Sequence, residues 1–377
     1  MAMQAALLDG PQLTPDENSI LTIARHFGGI QIDPTRTVER TQYLVLWSRL
    51  GNYDRGLLDK LLADRRLIEW NAFIVPVERL PELLYHARIW PTAEGNWSRR
   101  AREFMAANAE FRQSILDQLR AQGPLQSRQV DDSKLTVGWE STGWTHGKNT
   151  TRMLDFMSVR MEVVVAGRVG QERLWDLPER VIPNDAPRDD LADDEYEELR
   201  VMRAMHRFGI ATLPEIRLRA YGLSIPRAKE LLARLVEEGR LVAVELPYPG
   251  KQAAAAFALP EMLDRAPNTG GTRTTLLSPF DPLVYDRERT ERMFGFRYKL
   301  EMYAPKTERK FGQFVLPIVH SDRLVGRLDA KFDQKSAVLR VNALHWELGQ
   351  PAAGARTAVE RAIAELAAFV GASQVRR

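Results

Sequence analysis

The chain has 377 residues, 44% apolar and 27% charged, with 53 basic against 50 acidic side chains and a net charge of +3. That length predicts two to four domains with ample material for a core, and so mild a charge surplus leaves any nucleic-acid contact to local clusters. The absence of cysteine excludes disulfides, thiol catalysis, zinc ribbons and iron–sulfur clusters, and no apolar run approaches a membrane span.

In chain order, a helix is predicted over 14–27, ending at Gly28. Gln31, Ile32 and Asp33 follow in an extended segment. A second helix is predicted over about 35–49, with Asp33 at its N-cap and Pro34 at N1. A third covers 54–63, and an apolar, strand-like stretch covers 67–75.

A similar order follows over 108–176: a helix (108–121), a short helix near 127–130, a Gly/Trp-rich loop, a helix (149–160) and a hairpin (162–166 with 171–176). Residues 195–258 repeat it, with Thr212 and Ser224 as caps and a hairpin of 241–246 with 252–259. Three helices and a hairpin is the order of the winged helix-turn-helix, whose third helix enters the DNA major groove.

From Arg273 the apolar period changes from helical to alternating, over 298–303, 311–319, 323–332 and 337–346. This predicts an antiparallel meander closing into a small barrel, covered by a helix over 355–369. The expected fold is α+β: three tandem winged helix-turn-helix units (1–92, 93–183, 184–268) and a C-terminal antiparallel β-barrel with its helix (269–377).

Alternate side chains of an extended segment share a face, so Gln31 and Asp33 point one way and Ile32 inward. An amide beside a carboxylate can hold one water from two sides. The commoner use of Asp before Pro is helix capping, and the two uses are compatible. The six histidines (His26, His86, His146, His206, His320 and His345) show no metal-ligand spacing, so neither metal nor cofactor is expected. The opening MAMQAALLDG lacks the features of a secretory signal, and a cytoplasmic protein is expected.

Candidate DNA contacts are local clusters. Arg36 and Arg40 lie one helical turn apart after Asp33. Trp47 and Arg49 are candidates as well, although core packing is the default for a tryptophan. Arg99, Arg100 and Arg102 form a run, Lys148 and Arg152 open the helix at 149, Arg168 sits on a wing turn, and Arg287, Arg289 and Arg292 share a segment. Each alone is more commonly a solvated surface charge.

Several strings together resemble a known family: GIQID at 29–33, LWSRL at 46–50, VAGR at 165–168 leading into DLPER at 176–180, LSPFDP at 277–282, RTERMFGF at 289–296 and GRLDAK at 326–331. The chain is similar, from about residue 15 to 370, to the crosslink-unhooking alkyl-base DNA glycosylases of the YcaQ/AlkZ type. The resemblance implies tandem winged helices and a barrel around a DNA cleft. It also implies monofunctional hydrolysis of the N-glycosidic bond of bulky alkylpurines, crosslinks included. Family members carry a catalytic Gln-apolar-Gln or Gln-apolar-Asp pair, and Gln31 and Asp33 match the second form. After Glu69 the chain departs from relatives of the Asp type, which tend to carry a longer aromatic stretch with a histidine; here the run is WNAF, without histidine.

The implied substrate is double-stranded DNA carrying cationic alkylated bases, bound by a monomer that joins the nucleoid when on DNA. The alternative is a winged-helix DNA-binding protein without catalysis, as a transcription regulator or repair accessory factor.

Overall fold

The computed structural model describes residues 1–92, 94–140, 149–220, 222–248, 251–264, 273–347 and 353–377. The architecture is mixed α+β. The chain forms two compact units, one of Met1–Arg55 with Glu197–Arg377 and one of Gly56–Tyr196. The first is discontinuous, which a division in chain order does not anticipate.

In the first unit, helix Glu17–Phe27 is capped by Asp16, whose carboxylate accepts from Ser19 N–H at 2.8 Å, and it ends at Gly28 in the left-handed conformation. The two-residue strand Ile30–Gln31 and helix Thr41–Leu50 follow. Helices Asp193–Phe208, Leu213–Arg219 and Ile225–Glu237 then precede the hairpin Val242–Tyr248 with Lys251–Ala258. Strand Ile210–Thr212 pairs with the hairpin's second strand. Ser224 caps the third helix, and Pro226 stands in its first turn, where a missing N–H costs nothing. Val201, Met205, Phe208, Ile216, Leu231 and Leu235 form the core beneath.

The C-terminal sheet orders its strands as Thr274–Leu276, Leu316–His320, Arg323–Asp333, Val338–Trp346 and Gln374–Arg376. Three pairings are antiparallel and the last is parallel. Bulges at Ile318/Val319 and Asp329/Ala330 curl it. The expected barrel is therefore an open, curled sheet among the described residues. The reason is the connection: parallel neighbours need a crossover, which helix Ala353–Val370 supplies while packing on the first two strands. Gly326 is required where strands approach closely, since a Cβ there would lie 2.6 Å from the His345 carbonyl oxygen. Met3, Ala6 and Leu8 pack with Leu277, Phe296, Tyr298 and Val319.

The alternating run at 298–303 is not a strand. Tyr298 is buried and donates its hydroxyl to the Val315 carbonyl at 2.6 Å. Glu301 is buried as well, accepting from Phe311 and Gly312 N–H at 2.9 and 3.2 Å. The alternation thus serves an anchored loop.

In the second unit, helix Gly56–Ala63 leads into a hairpin of Leu67–Trp70 and Phe73–Pro76. Helices Leu80–Ile89 and Asn96–Ala107, not anticipated from sequence, come next. Then come helices Ala109–Gln122 and Asn149–Val159 and a three-stranded sheet ordered Leu125–Gln126, Glu172–Asp176, Val164–Val169. The short helix expected near 127–130 is a turn after that first strand; pairing with the Glu172–Asp176 strand holds the backbone extended. Phe111, Ile115, Met153, Leu154, Phe156 and Trp175 are buried together.

Trp70 pairs with Phe73 across a two-residue turn in which Asn71 and Ala72 have φ of 45° and 63°. Tight hairpins favour such turns, with Gly at the second position. Ala72 is strained there, because its Cβ crowds the backbone at positive φ. Replacing Ala72 by Gly should stabilise the protein by about 0.5–1 kcal/mol, read as a rise in the urea midpoint. A fall in the midpoint would show that the turn carries no strain.

Candidate active site

Ile30 is buried, and Gln31, Ile32 and Asp33 are each half-buried on the extended segment that follows. The helix expected from residue 35 begins only at Thr41, with Arg40 at its N-cap. Pro34 disfavours helical backbone at Asp33, and Thr35, Thr37 and Val38 are β-branched, with low helix propensity. The Thr37 carbonyl also accepts from Phe332 N–H at 2.9 Å, which fixes the segment to the sheet.

Asp33 therefore caps no helix. Its Oδ1 accepts from Thr35 N–H at 2.9 Å, a local turn closed by the side chain. Among the described residues, no further partner engages the Asp33 carboxylate or the Gln31 amide.

Three contacts hold the segment's far end. Thr41 Oγ1 and Ser278 Oγ lie 3.0 Å apart in the interior. Glu39, 1% exposed, accepts from Arg36 Nη2 at 2.9 Å, from Arg40 N–H at 2.8 Å and from Arg55 Nη1, with Arg36 Nε 2.8 Å from its other oxygen. Arg49, at the end of helix Thr41–Leu50, forms a fully buried ion pair with Asp281.

Three of the residues expected on DNA have structural places instead. Arg49 is 0% exposed and spends its donors on Asp281, the Ala6 carbonyl and Ser48 Oγ. Trp47 is buried, 6.1 Å from the Phe369 ring, and donates to Asn52 Oδ1 at 3.2 Å. Arg289 is buried, donating to Glu215 at 3.0 Å and to the Phe208 and Ile210 carbonyls at 3.2 and 2.8 Å. None of the three leaves a side chain for a phosphate. Helical periodicity cannot separate Arg49 and Arg289 from surface positions, because Asp281 and Glu215 lie far along the chain.

Arg292 also pairs with Glu215, at 2.7 Å, and keeps 30% exposure. Burial pushes the Glu215 carboxyl up, but Arg289, Thr212 N–H and Arg292 together hold it below the ordinary carboxylate range. Arg287 is half-buried against the Pro279 and Val284 carbonyls, and burial lowers its pKa. Arg168 is exposed and forks onto Glu69 at 2.7 and 2.8 Å. Arg152 is half-buried, about 5.9 Å from both the Trp139 and Phe156 rings. Arg36 is exposed and Arg40 half-buried. Arg99 is exposed, and Arg100 donates to the Glu140 carbonyl at 2.8 Å. Lys148 lies outside the described residues. No group of three metal-ligating side chains occurs among the described residues.

A half-buried carboxylate and amide two residues apart, on a rigidly tethered segment, can hold and orient a water. A model of the family described as DNA glycosylase AlkZ-like matches residues 24–369. The chain belongs to that family: it is a DNA glycosylase, and its substrate is DNA. Its fold is also similar to that of Streptomyces sahachiroi DNA glycosylase AlkZ, with a TM-score of 0.64 at 18% identity over 100% of this chain and 96% of that one.

Removing the charge at Asp281 would leave the Arg49 guanidinium buried and uncompensated. Asp281→Asn should destabilise the protein by about 3–5 kcal/mol, measured by chemical unfolding. A loss below about 1 kcal/mol would mean that the pair is replaceable by neutral hydrogen bonds.

Proposed function

We propose that this DNA glycosylase hydrolyses the N-glycosidic bond of cationic alkylated purines of the N7-alkylguanine type, including bulky adducts and interstrand crosslinks, as a monofunctional enzyme. The observation that carries this reading is the state of Gln31 and Asp33. One Asp33 oxygen is held by Thr35 N–H, which orients the carboxylate and leaves the other oxygen for water. The Gln31 amide can both donate to that water and accept from it.

The water oxygen bonds to the sugar C1′ as the glycosidic bond breaks. The bonding pair returns to the base, cancels its positive charge and releases it neutral. Asp33 takes the proton lost by the water, and an abasic site remains. A base that already carries a positive charge leaves without a general acid. The negative carboxylate stabilises the oxocarbenium-like sugar as it forms. None of these steps calls on a metal or cofactor. Lys60 is the only lysine before Lys134, and neither adjoins the pair in sequence, which supports hydrolysis over Schiff-base chemistry.

The scaffold we propose is three winged-helix units over 1–92, 93–183 and 184–268, followed by the curled sheet and its helix. The helix-to-hairpin order of the three runs supports it. The DNA contacts carried forward are Arg36, Arg40, Arg152, Arg168 and Arg292, which keep partial exposure, together with Lys148. The protein would act as a monomer on duplex DNA, in the cytoplasm and at the nucleoid. A base tethered to the opposite strand cannot be flipped into a closed pocket, and the partial exposure of Gln31 and Asp33 suits such a substrate.

Asp33→Asn should lower single-turnover base release from N7-methylguanine duplex by at least about a hundredfold with DNA affinity nearly unchanged, since the charge acts on the transition state. Release within a few-fold of the parent protein would reduce Asp33 to a turn former. Charge should also decide substrate range: N7-alkylguanine and N3-alkyladenine are released, and uracil and 8-oxoguanine are not. Each 1.36 kcal/mol of added barrier is about tenfold in rate. Efficient excision of a neutral base from a matched duplex would require an acid absent from this mechanism.

A further inference from the structure

Arg55 belongs to none of the basic clusters legible in the sequence. Its Nη1 meets the buried Glu39 carboxylate. Its guanidinium lies 5.9 Å from the Tyr43 ring centroid and 5.5 Å from that of Phe369. The side chain nonetheless keeps 36% exposure, and no other hydrogen bond engages it among the described residues. The guanidinium is thus fixed on one edge by a salt bridge and supported by two rings, while its remaining donors are available to solvent.

Arg36 is its counterpart. It donates to the same carboxylate through Nη2 at 2.9 Å, its Nε lies 2.8 Å from the other carboxylate oxygen, and it keeps 31% exposure. With its amide oxygen turned toward Arg36, Gln334 accepts from Nη1 at 2.7 Å and from Nε at 3.0 Å. Two guanidiniums therefore share one buried carboxylate, which also accepts Arg40 N–H. The trio carries a net charge of +1. Each arginine keeps an exposed edge, and the trio sits at the end of the segment that begins with Gln31 and Asp33.

We propose that Arg36 and Arg55, held at a fixed spacing by Glu39, form a clamp for one backbone phosphate of the DNA strand that enters the active site. Glu39 is its positioning residue. A planar guanidinium suits an anion bound by two N–H groups, and two already ordered by a shared carboxylate lose little side-chain freedom on binding. The clamp would fix the sugar–phosphate backbone beside the water-holding pair, so that phosphate contact sets register and the pair performs the chemistry. The inference rests on the glycosylase reading for its purpose; the salt-titration arm of its test does not, and only the Glu39 arm reads turnover.

The test is equilibrium binding of undamaged duplex by the full chain across a salt titration, which requires no base release. Each neutralised phosphate contributes about 0.9 to the slope of log affinity against log salt. Arg55→Gln should weaken binding at low salt and flatten that slope by about 0.9. Arg55→Lys, which keeps the charge, should retain the slope with a smaller loss of affinity; it also serves if the Gln variant melts early. Glu39→Gln should keep both arginines but raise KM for damaged duplex more than it lowers kcat, because it loosens their spacing and leaves Asp33 in place. A parental salt slope in Arg55→Gln overturns the clamp. Parental KM in Glu39→Gln overturns the positioning role. A flattened slope in a protein that releases no base from any lesion would leave the clamp standing and sink the glycosylase mechanism instead.

Discussion

The first unit is organised around one guanidinium. Arg49 is completely buried, and burying an ion costs several kcal/mol unless its partners are nearly ideal. Here all five N–H donors are engaged. Nε and one Nη2 proton reach the Ala6 carbonyl, the Asp281 carboxylate takes Nη1 and Nη2, and Ser48 Oγ lies 2.7 Å from Nη1. The Phe27 ring centroid is 5.2 Å away. A single side chain thereby fastens the N-terminal segment, helix Glu17–Phe27, helix Thr41–Leu50 and the loop that carries Asp281. No hydrophobic residue could set the relative register of four segments in this way, because apolar contact is not directional.

That fastening fixes the far end of the segment bearing Gln31 and Asp33. With helix Thr41–Leu50 locked by its last turn, the segment's course is set at one end by Ile30 in the core and at the other by Thr41 against Ser278. Between these ends, the backbone bond from Phe332 to Thr37 and the Glu39 carboxylate remove the remaining freedom. A segment held in this way loses little entropy when it positions a water, and in the proposed catalytic pair that saving would lower the barrier.

Much of this was legible in the sequence, and the failures share one cause. Gly28, Ser224, Thr212 and the apolar periods gave helix ends and hairpins within a few residues, because caps and periodicity are local signals. The buried places of Arg49, Trp47 and Arg289 are not visible in local pattern because their surroundings are tertiary: Asp281 lies 232 residues from Arg49 and Glu215 lies 74 from Arg289. The helix expected at residue 35 failed for the same reason. Asp33 followed by Pro34 is a sound local start, but the tertiary bond at Thr37 and the β-branched residues around it keep the chain non-helical as far as Arg40. The open sheet is not legible in the alternating pattern, because the feature that departs from a meander is the return of Gln374–Arg376 as a parallel edge strand.

The chemistry and the exposure of the site bear on each other. An enzyme that must protonate its leaving group has to surround the base with a tuned acid, and tuning generally means burial. One that accepts only bases already carrying charge is released from that demand. A carboxylate and an amide on a tethered, half-buried segment are then sufficient, and nothing in the reaction requires enclosure of the base. In the proposed mechanism, tolerance of bulk would follow from restriction to cationic lesions. Specificity would come from the electronic state of the base rather than from the shape of a pocket, and the protein's task reduces to holding the sugar–phosphate backbone still beside the water.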